Sequence, residues 1–253
     1  MAAYLELFIA FLGAFIAGGI NALSGNGSVI TLSVLTELIG LPGTLANGTN
    51  RVGVFLNSIG SLIGFYRKGN SGMRSYVPYI LPVVIGAVAG IVVATRVSNA
   101  QFMNVFRVLM VVMLFVILVK PEKWLHTTSG KSLLPQWLTW PAMLLIGFYG
   151  GFIQMGMGIF FLAVTVLLAR LPMMESNRIK VFAIGIYTGI SLLLFSSANQ
   201  ISWPIGLTMG AGQFIGGWMS AHYGSRMKGA EKLAYYVLVV AVVLSVLKLF
   251  GLF

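Results

Sequence analysis

A glycine-broken motif occurs twice in this chain, and the charges around the two copies are turned over. Gly25-Asn26-Gly27 is matched by Gly156-Met157-Gly158 at an offset of 131 residues. Downstream, Leu41-Pro42 and Asn47 fall on Leu171-Pro172 and Asn177 at 130, and Pro78, Gly86, Gly90 and Ala94 fall on Pro204, Gly212, Gly216 and Ser220 at 126. The offset shrinks because one loop is shorter in the second half. That loop carries Arg67, Lys68 and Arg74 in the first half, whereas its counterpart at 199–202 has no charge. One loop later the bias reverses, with Arg96 alone against Arg226, Lys228 and Lys232. Excess Lys and Arg marks cytoplasmic loops, so the two copies are expected upside down relative to each other. Inverted copies of this kind build carriers whose site lies at the repeat interface.

Composition decides the solvent. With 58% apolar and 8% charged residues, the chain is expected to be an all-α, multi-pass membrane protein. Runs at 76–95, 102–119, 181–198, 203–223 and 233–253 have the length of spans. The net charge of +11 does not point to nucleic acid, because the basic residues follow short loops between spans. There is no cysteine, which excludes disulfides and thiolate metal sites. His126 lies in a loop and His222 near a span end, so no metal constellation and no cofactor are expected. The N-terminus lacks a basic n-region and reads as the first membrane segment.

Two regions are too long for one span and too broken to be continuous. In 4–41 the apolar run meets Asn21, Ser24, Gly25, Asn26, Gly27 and Ser28 near its middle; in 138–171 it meets Gln154, Gly156 and Gly158. The second leg of each has about a dozen residues, roughly 18–20 Å as helix, short of the ~30 Å hydrocarbon core. A hairpin with its tip inside the membrane suits this pattern, and two full spans are its charge-equivalent variant. A single broken span would place Arg226, Lys228 and Lys232 outside, against the charge rule. With hairpins, twelve of the 16 Lys and Arg lie inside, and both termini face the periplasm. The exceptions are Arg51, Arg96, Arg107 and Lys248. The expected architecture is two inverted repeats of five helical segments, at 1–120 and 137–253, joined by a cytoplasmic linker at 121–136. The stripes Gly86/Gly90/Ala94 and Gly212/Gly216/Ser220 are expected to pack helices closely. Trp124, Trp137, Trp140 and Trp203 are expected at the interfaces.

The candidate site follows from where polar groups interrupt the membrane. Asn21, Ser24, Asn26 and Ser28 surround Gly25 and Gly27 at the first tip. A turn that opens a helix offers N–H groups without intrahelical partners, which suit carboxylate, sulfonate or phosphate oxygens. At Gly25 and Gly27 a side chain would stand between those groups and the ligand. Gln154, Gly156 and Gly158 form the second tip. Asn50 and Arg51, then Asn57, follow the first hairpin; Lys180 and Tyr187 follow the second. Arg51 breaks the charge rule and is the first candidate to complete an anion site; Lys180 is the second, but it obeys the rule, and snorkelling to the interface is its favoured reading. Asn57 and Tyr187 are expected to line a path. Glu37 is the one carboxylate well within an apolar segment and is the candidate for ion coupling, to proton or sodium; Arg107, on an apolar helix, is expected to pair with Glu37 or with a lipid headgroup. An enzyme usually needs a nucleophile–base pair or metal ligands, and no such set occurs.

The segments 17–28 (AGGINALSGNGS), 41–51 (LPGTLANGTNR), 65–69 (FYRKG), 147–158 (GFYGGFIQMGMG) and 177–180 (NRIK) together resemble the TauE/SafE family of membrane permeases, the sulfite and organosulfonate exporters. The resemblance runs nearly end to end, carried by the order and doubling of these motifs. It implies transport of small anions, often sulfur-containing, across a bacterial inner membrane. Asn26 interrupts a glycine run, and Gln154 and Met155 replace small residues expected beside the second tip. These departures bear on the substrate more than on the fold. A secondary anion transporter working by alternating access is therefore expected, with the substrate between the tips. A passive anion channel or a structural membrane subunit is the alternative.

Overall fold

A computed structural model describes residues 2–23, 25–66, 76–119, 132–133, 135–223, 230–249 and 251. Ser24, Arg67, Lys68, Arg74, Lys123, Trp124, His126, Arg226, Lys228 and both chain ends lie outside the described residues. The described chain is helical and contains ten α-helices. The first half has α1 (Ala2–Leu23), α2 (Gly27–Ser33), α3 (Gly43–Tyr66), α4 (Val77–Arg96) and α5 (Asn99–Leu118). The second has α6 (Gln136–Phe152), α7 (Met157–Leu162), α8 (Met173–Ser197), α9 (Trp203–Tyr223) and α10 (Ala230–Leu249). Among the described residues, α4, α5 and α8 are long and apolar enough to cross a membrane.

The glycine-broken regions are hairpins. Gly27 at the start of α2 abuts Ala17 and Asn21, while Val34, at its far end, packs on Gly13. The chain therefore runs back along α1 and does not continue it. Both short legs widen at their ends into π-helix, over Val34–Leu38 and Ala163–Leu168. Each then stops alike: a left-handed residue, Gly40 or Arg170, is followed by a Leu whose N–H reaches back to Leu35 O or Thr165 O at 2.9 Å. The Leu-Pro pairs noted in the sequence are these stops. Proline has no N–H to continue a helix from the preceding turn, and it suits the entry to the next.

Helices at matching places in the two halves pack in exchanged pairs. α1 lies against α9, and its counterpart α6 lies against α4, the counterpart of α9. Gly212 and Gly216 of α9 meet the backbone of Phe11, Phe15 and Gly19; Gly86 and Gly90 of α4 meet that of Leu144, Phe148 and Phe152. A Cβ on Gly86 would stand 2.9 Å from Leu144 C and from Phe148 N. The small stripes thus let backbone touch backbone, where dispersion rather than water exclusion holds helices together.

Polarity is distributed as lipid demands. Phe115, Val108, Leu145 and Leu193 point outward, more than 60% exposed, while Arg51, Lys180, Asn26 and Asn47 are fully enclosed. A water-soluble fold would reverse this order. Trp137, Trp140 and Trp203 are exposed near helix starts, as interface anchors would be.

Candidate functional site

The two tips meet at the centre of the fold. A Cβ on Gly25 would overlap Gly158 Cα and lie 2.9 Å from Gly158 C, so the two glycines touch through their backbones. Gly25 and Gly156 both adopt positive φ, +82° and +70°, which a side chain would strain. Gly156 faces Met113 of α5, and Gly27 is packed against the Ala17 carbonyl of α1. Gly27 therefore closes the hairpin, and its α-carbon faces α1.

Around the second tip most polar groups are engaged, although Arg51 Nε and the Tyr187 hydroxyl are buried without a hydrogen-bond partner. The α6 helix ends at Phe152, leaving carbonyls without intrahelical partners. Arg51, from α3, fills that gap: Nη1 donates to Gly150 O at 2.8 Å and Gln154 Oε1 at 2.5 Å, and Nη2 to Gly151 O at 2.6 Å and Asn47 Oδ1 at 3.3 Å. Asn47 Nδ2 donates to Phe152 O at 2.9 Å. Gln154 holds a left-handed turn, and Tyr187 lies beside Arg51 and Gln154. Tyr149, which the sequence did not single out, donates to Met155 O at 2.5 Å.

The first tip is held by the opposite half in the same manner. Lys180, from α8, does not snorkel to the interface: it is fully buried, and it donates to Asn21 O near the end of α1 at 3.3 Å and to Asn177 Oδ1 at 2.7 Å. Each half thus lends a buried cation, with an Asn one turn before it, to the other half's hairpin. Asn57 is a knot between three helices: Nδ2 donates to Gly18 O and Gln213 O at 3.0 and 2.8 Å, and Oδ1 accepts from Asn21 Nδ2 at 3.3 Å. Its amide is committed to packing. Gln213, buried among the glycines of α9, escaped the sequence reading; a lone amide in a small-residue stripe was the available signal.

The first tip also keeps polar atoms unengaged, here on amides and a hydroxyl. Asn26 is fully buried with neither side-chain atom hydrogen-bonded, and the same holds for Ser28 Oγ and Asn50 Nδ2. Asn50 Oδ1 accepts from Thr31 Oγ1 at 2.6 Å, which brings α3 to within a turn of Ser28. Buried groups of this kind normally have partners. Arg51 and Lys180 are both fully buried, and among the described residues no carboxylate is. Glu37 is only partly buried on the π-turn, and Lys248 donates to its backbone carbonyl. Arg107 is exposed on α5 and donates to Asn104, not to Glu37.

This is the layout of a multi-pass helical membrane protein with a polar, positively charged centre between two crossed hairpins, the class to which transporters of the bilayer midplane belong. The chain is a member of the family described as Sulfite exporter TauE/SafE, whose sequence model matches residues 10–249. It is 28% identical over 238 residues to a probable membrane transporter protein, ORF9, of Sinorhizobium sp, covering 93% of this chain and 89% of that one. A probable membrane transporter protein of Haemophilus influenzae is 28% identical over 226 residues, 87% and 84% of the two chains. The probable membrane transporter protein YfcA of Escherichia coli K12 is 24% identical over 249 residues, 97% and 90%. No solved structure matches. Family and relatives make the chain a membrane transporter.

Proposed function

We propose that this chain is a secondary transporter that moves a small anion, an organosulfonate, sulfite or related sulfur oxyanion, across a bacterial inner membrane by alternating access. The observation that carries this reading is the charge of the centre. Two enclosed cations, Arg51 and Lys180, have no buried carboxylate among the described residues to balance them. An uncompensated charge in apolar surroundings is costly, and an anion relieves it. Asn26, Ser28 and Asn50 supply buried hydrogen-bond donors that nothing in the protein uses. Sulfonate and sulfite oxygens accept from such donors. The family description supports the sulfur chemistry.

The two halves stand in opposite orientation in this proposal, with both termini in the periplasm. The exchanged packing of α1 on α9 and α6 on α4 supports that arrangement. Contact between Gly25 and Gly158 supports a closed midplane, as expected of a carrier between its two open states.

Reconstitution in liposomes tests the proposal. Uptake of a sulfonate or sulfite should saturate and be stimulated by the same anion inside. Asn26→Ala should weaken that uptake at least tenfold, about the loss of one hydrogen bond to a charged group. Flux that rises linearly with concentration, without counter-transport, would indicate a channel. Absence of flux for every such anion would indicate a structural role.

A further inference from the structure

The two cross-braces are built from different residue types, and the difference has a chemical meaning. Arg51 makes four hydrogen bonds and is a guanidinium, which does not lose its proton in proteins. Lys180 makes two, to a backbone carbonyl and an amide oxygen, both neutral acceptors. A third ammonium hydrogen is left over, and lysine, unlike arginine, exists in both charge states. The cost of an enclosed, unbalanced ammonium is relieved in one of two ways: an anion arrives beside it, or the proton leaves.

The surroundings of Lys180 offer no third way. On the elements packed against α8, the titratable or charged side chains described are Arg51 of α3, Tyr79 and Arg96 of α4, and Tyr149 of α6; α7 has none. On α8 itself they are Glu175, Arg178 and Tyr187. Glu175 accepts from Tyr76, Arg178 donates to Phe65 O, and Tyr149 is bonded to Met155 O. None of these groups has a hydrogen bond to Lys180 Nζ among the described residues.

We infer that Lys180 is the proton-carrying group of the transporter, so that the anion and one proton travel together as an electroneutral pair. This rests on the anion-transport reading above, and it assigns the coupling role to Lys180 in place of Glu37. The step is balanced. A proton from water on the loading side converts the Lys180 amine to ammonium, and the anion binds to the charged centre. The tips part on the other side, the anion leaves, and the same proton returns to water there. No bond other than N–H is made or broken. The ammonium form also donates to Asn21 O, so the charge state of Lys180 acts on the end of α1 and hence on the first hairpin.

The test uses methanesulfonate, which has no titratable proton of its own near neutrality, and purified protein in liposomes loaded with a pH-sensitive dye. In wild type, an inward methanesulfonate gradient should acidify the lumen, and a clamped membrane voltage should not change the rate. In Lys180→Arg, which keeps the charge, acidification should be lost and any remaining anion flux should follow voltage. Acidification that persists in Lys180→Arg or Lys180→Gln would overturn the inference, as would wild-type methanesulfonate flux without proton movement. Should the variants fail to fold, calorimetry on wild type alone decides. Titrations on the alkaline side of neutrality, in buffers of different ionisation enthalpy, should show uptake of about one proton per anion bound. Binding with no proton uptake would refute the role of Lys180. Absence of saturable flux for methanesulfonate, sulfite and every related anion would instead overturn the transport reading beneath it.

Discussion

Gly158→Ala isolates the contact between the tips. Gly158 is not in a left-handed conformation, so alanine introduces no backbone strain and only adds a methyl group. That methyl would overlap Gly25 Cα and lie 3.0 Å from Gly25 O and 3.1 Å from Gly25 C. All three atoms are backbone and cannot rotate aside. Ordinary carbon contacts of 3.5–4.0 Å require the tips to part by roughly 1 Å. Overpacking of this size costs about 1–3 kcal/mol. The penalty falls only on the state in which the tips touch, so states with the tips apart gain about fivefold to a hundredfold in population. The absence of native cysteine allows a clean readout. Ser28, 1% exposed beside the first tip, becomes a unique thiol as Ser28→Cys. Maleimide should label that thiol faster in the Gly158→Ala background by the same factor. Gly25→Ala is a poorer probe because its φ of +82° adds strain. Equal labelling rates together with a lowered melting temperature would show that the hairpins absorb the methyl locally. The tips would then not be the moving parts.

Three further outcomes are expected. Arg51→Lys should lower the melting temperature in detergent, because an ammonium cannot serve Gly150 O, Gly151 O and Gln154 together; each orphaned buried carbonyl costs about 1–3 kcal/mol, and unchanged melting would remove Arg51 from the role of brace. Gly86→Val and Gly212→Val should destabilise the protein to a similar degree, since each meets backbone in equivalent packing; a large difference in melting would show that the two halves do not pack alike. A reporter active only in the cytoplasm should be silent at Phe253 and active when inserted at 123–131, positions outside the described residues; the reverse pattern would overturn the orientation.

Much of the fold was legible because the relevant signals are local. The breaks at Gly25 and Gly156 mark the hairpin tips, Leu41-Pro42 and Leu171-Pro172 mark where the short legs stop, and the glycine stripes mark close packing. Each depends on what one residue permits its own backbone to do. The site was less legible because hydrogen bonding there crosses between halves. A polar residue in an apolar run announces that it needs a partner, without saying which helix supplies it. Arg51 and Lys180 drew notice as cations within spans, but nothing near them in sequence shows that they cap α6 and α1. Asn57 looked like a path-lining residue for the same reason, since the carbonyls it ties, Gly18 and Gln213, are 39 and 156 residues away. Tyr149 was hidden by type, because an aromatic in a span is usually packing and its hydroxyl partner lies in the irregular tip.

The exchanged pairing of helices also constrains how the chain is assembled during synthesis. α6 can settle on α4 soon after it is made, because the two are near neighbours in sequence. Its counterpart α1 emerges early yet has its main packing partner in α9, with seven α-helices between them. Until α9 arrives, Gly18 lacks its close neighbour at Gln213, and Asn57 lacks one of the carbonyls it serves. Lys180 likewise reaches Asn21 only after α8 is inserted. The first hairpin must therefore wait in the membrane as an incomplete object, its amides exposed to lipid or to whatever assists insertion. Ribosome stalling or truncation before α9 would leave that hairpin unfinished, and quality-control proteases would meet the defect in α1 and α2.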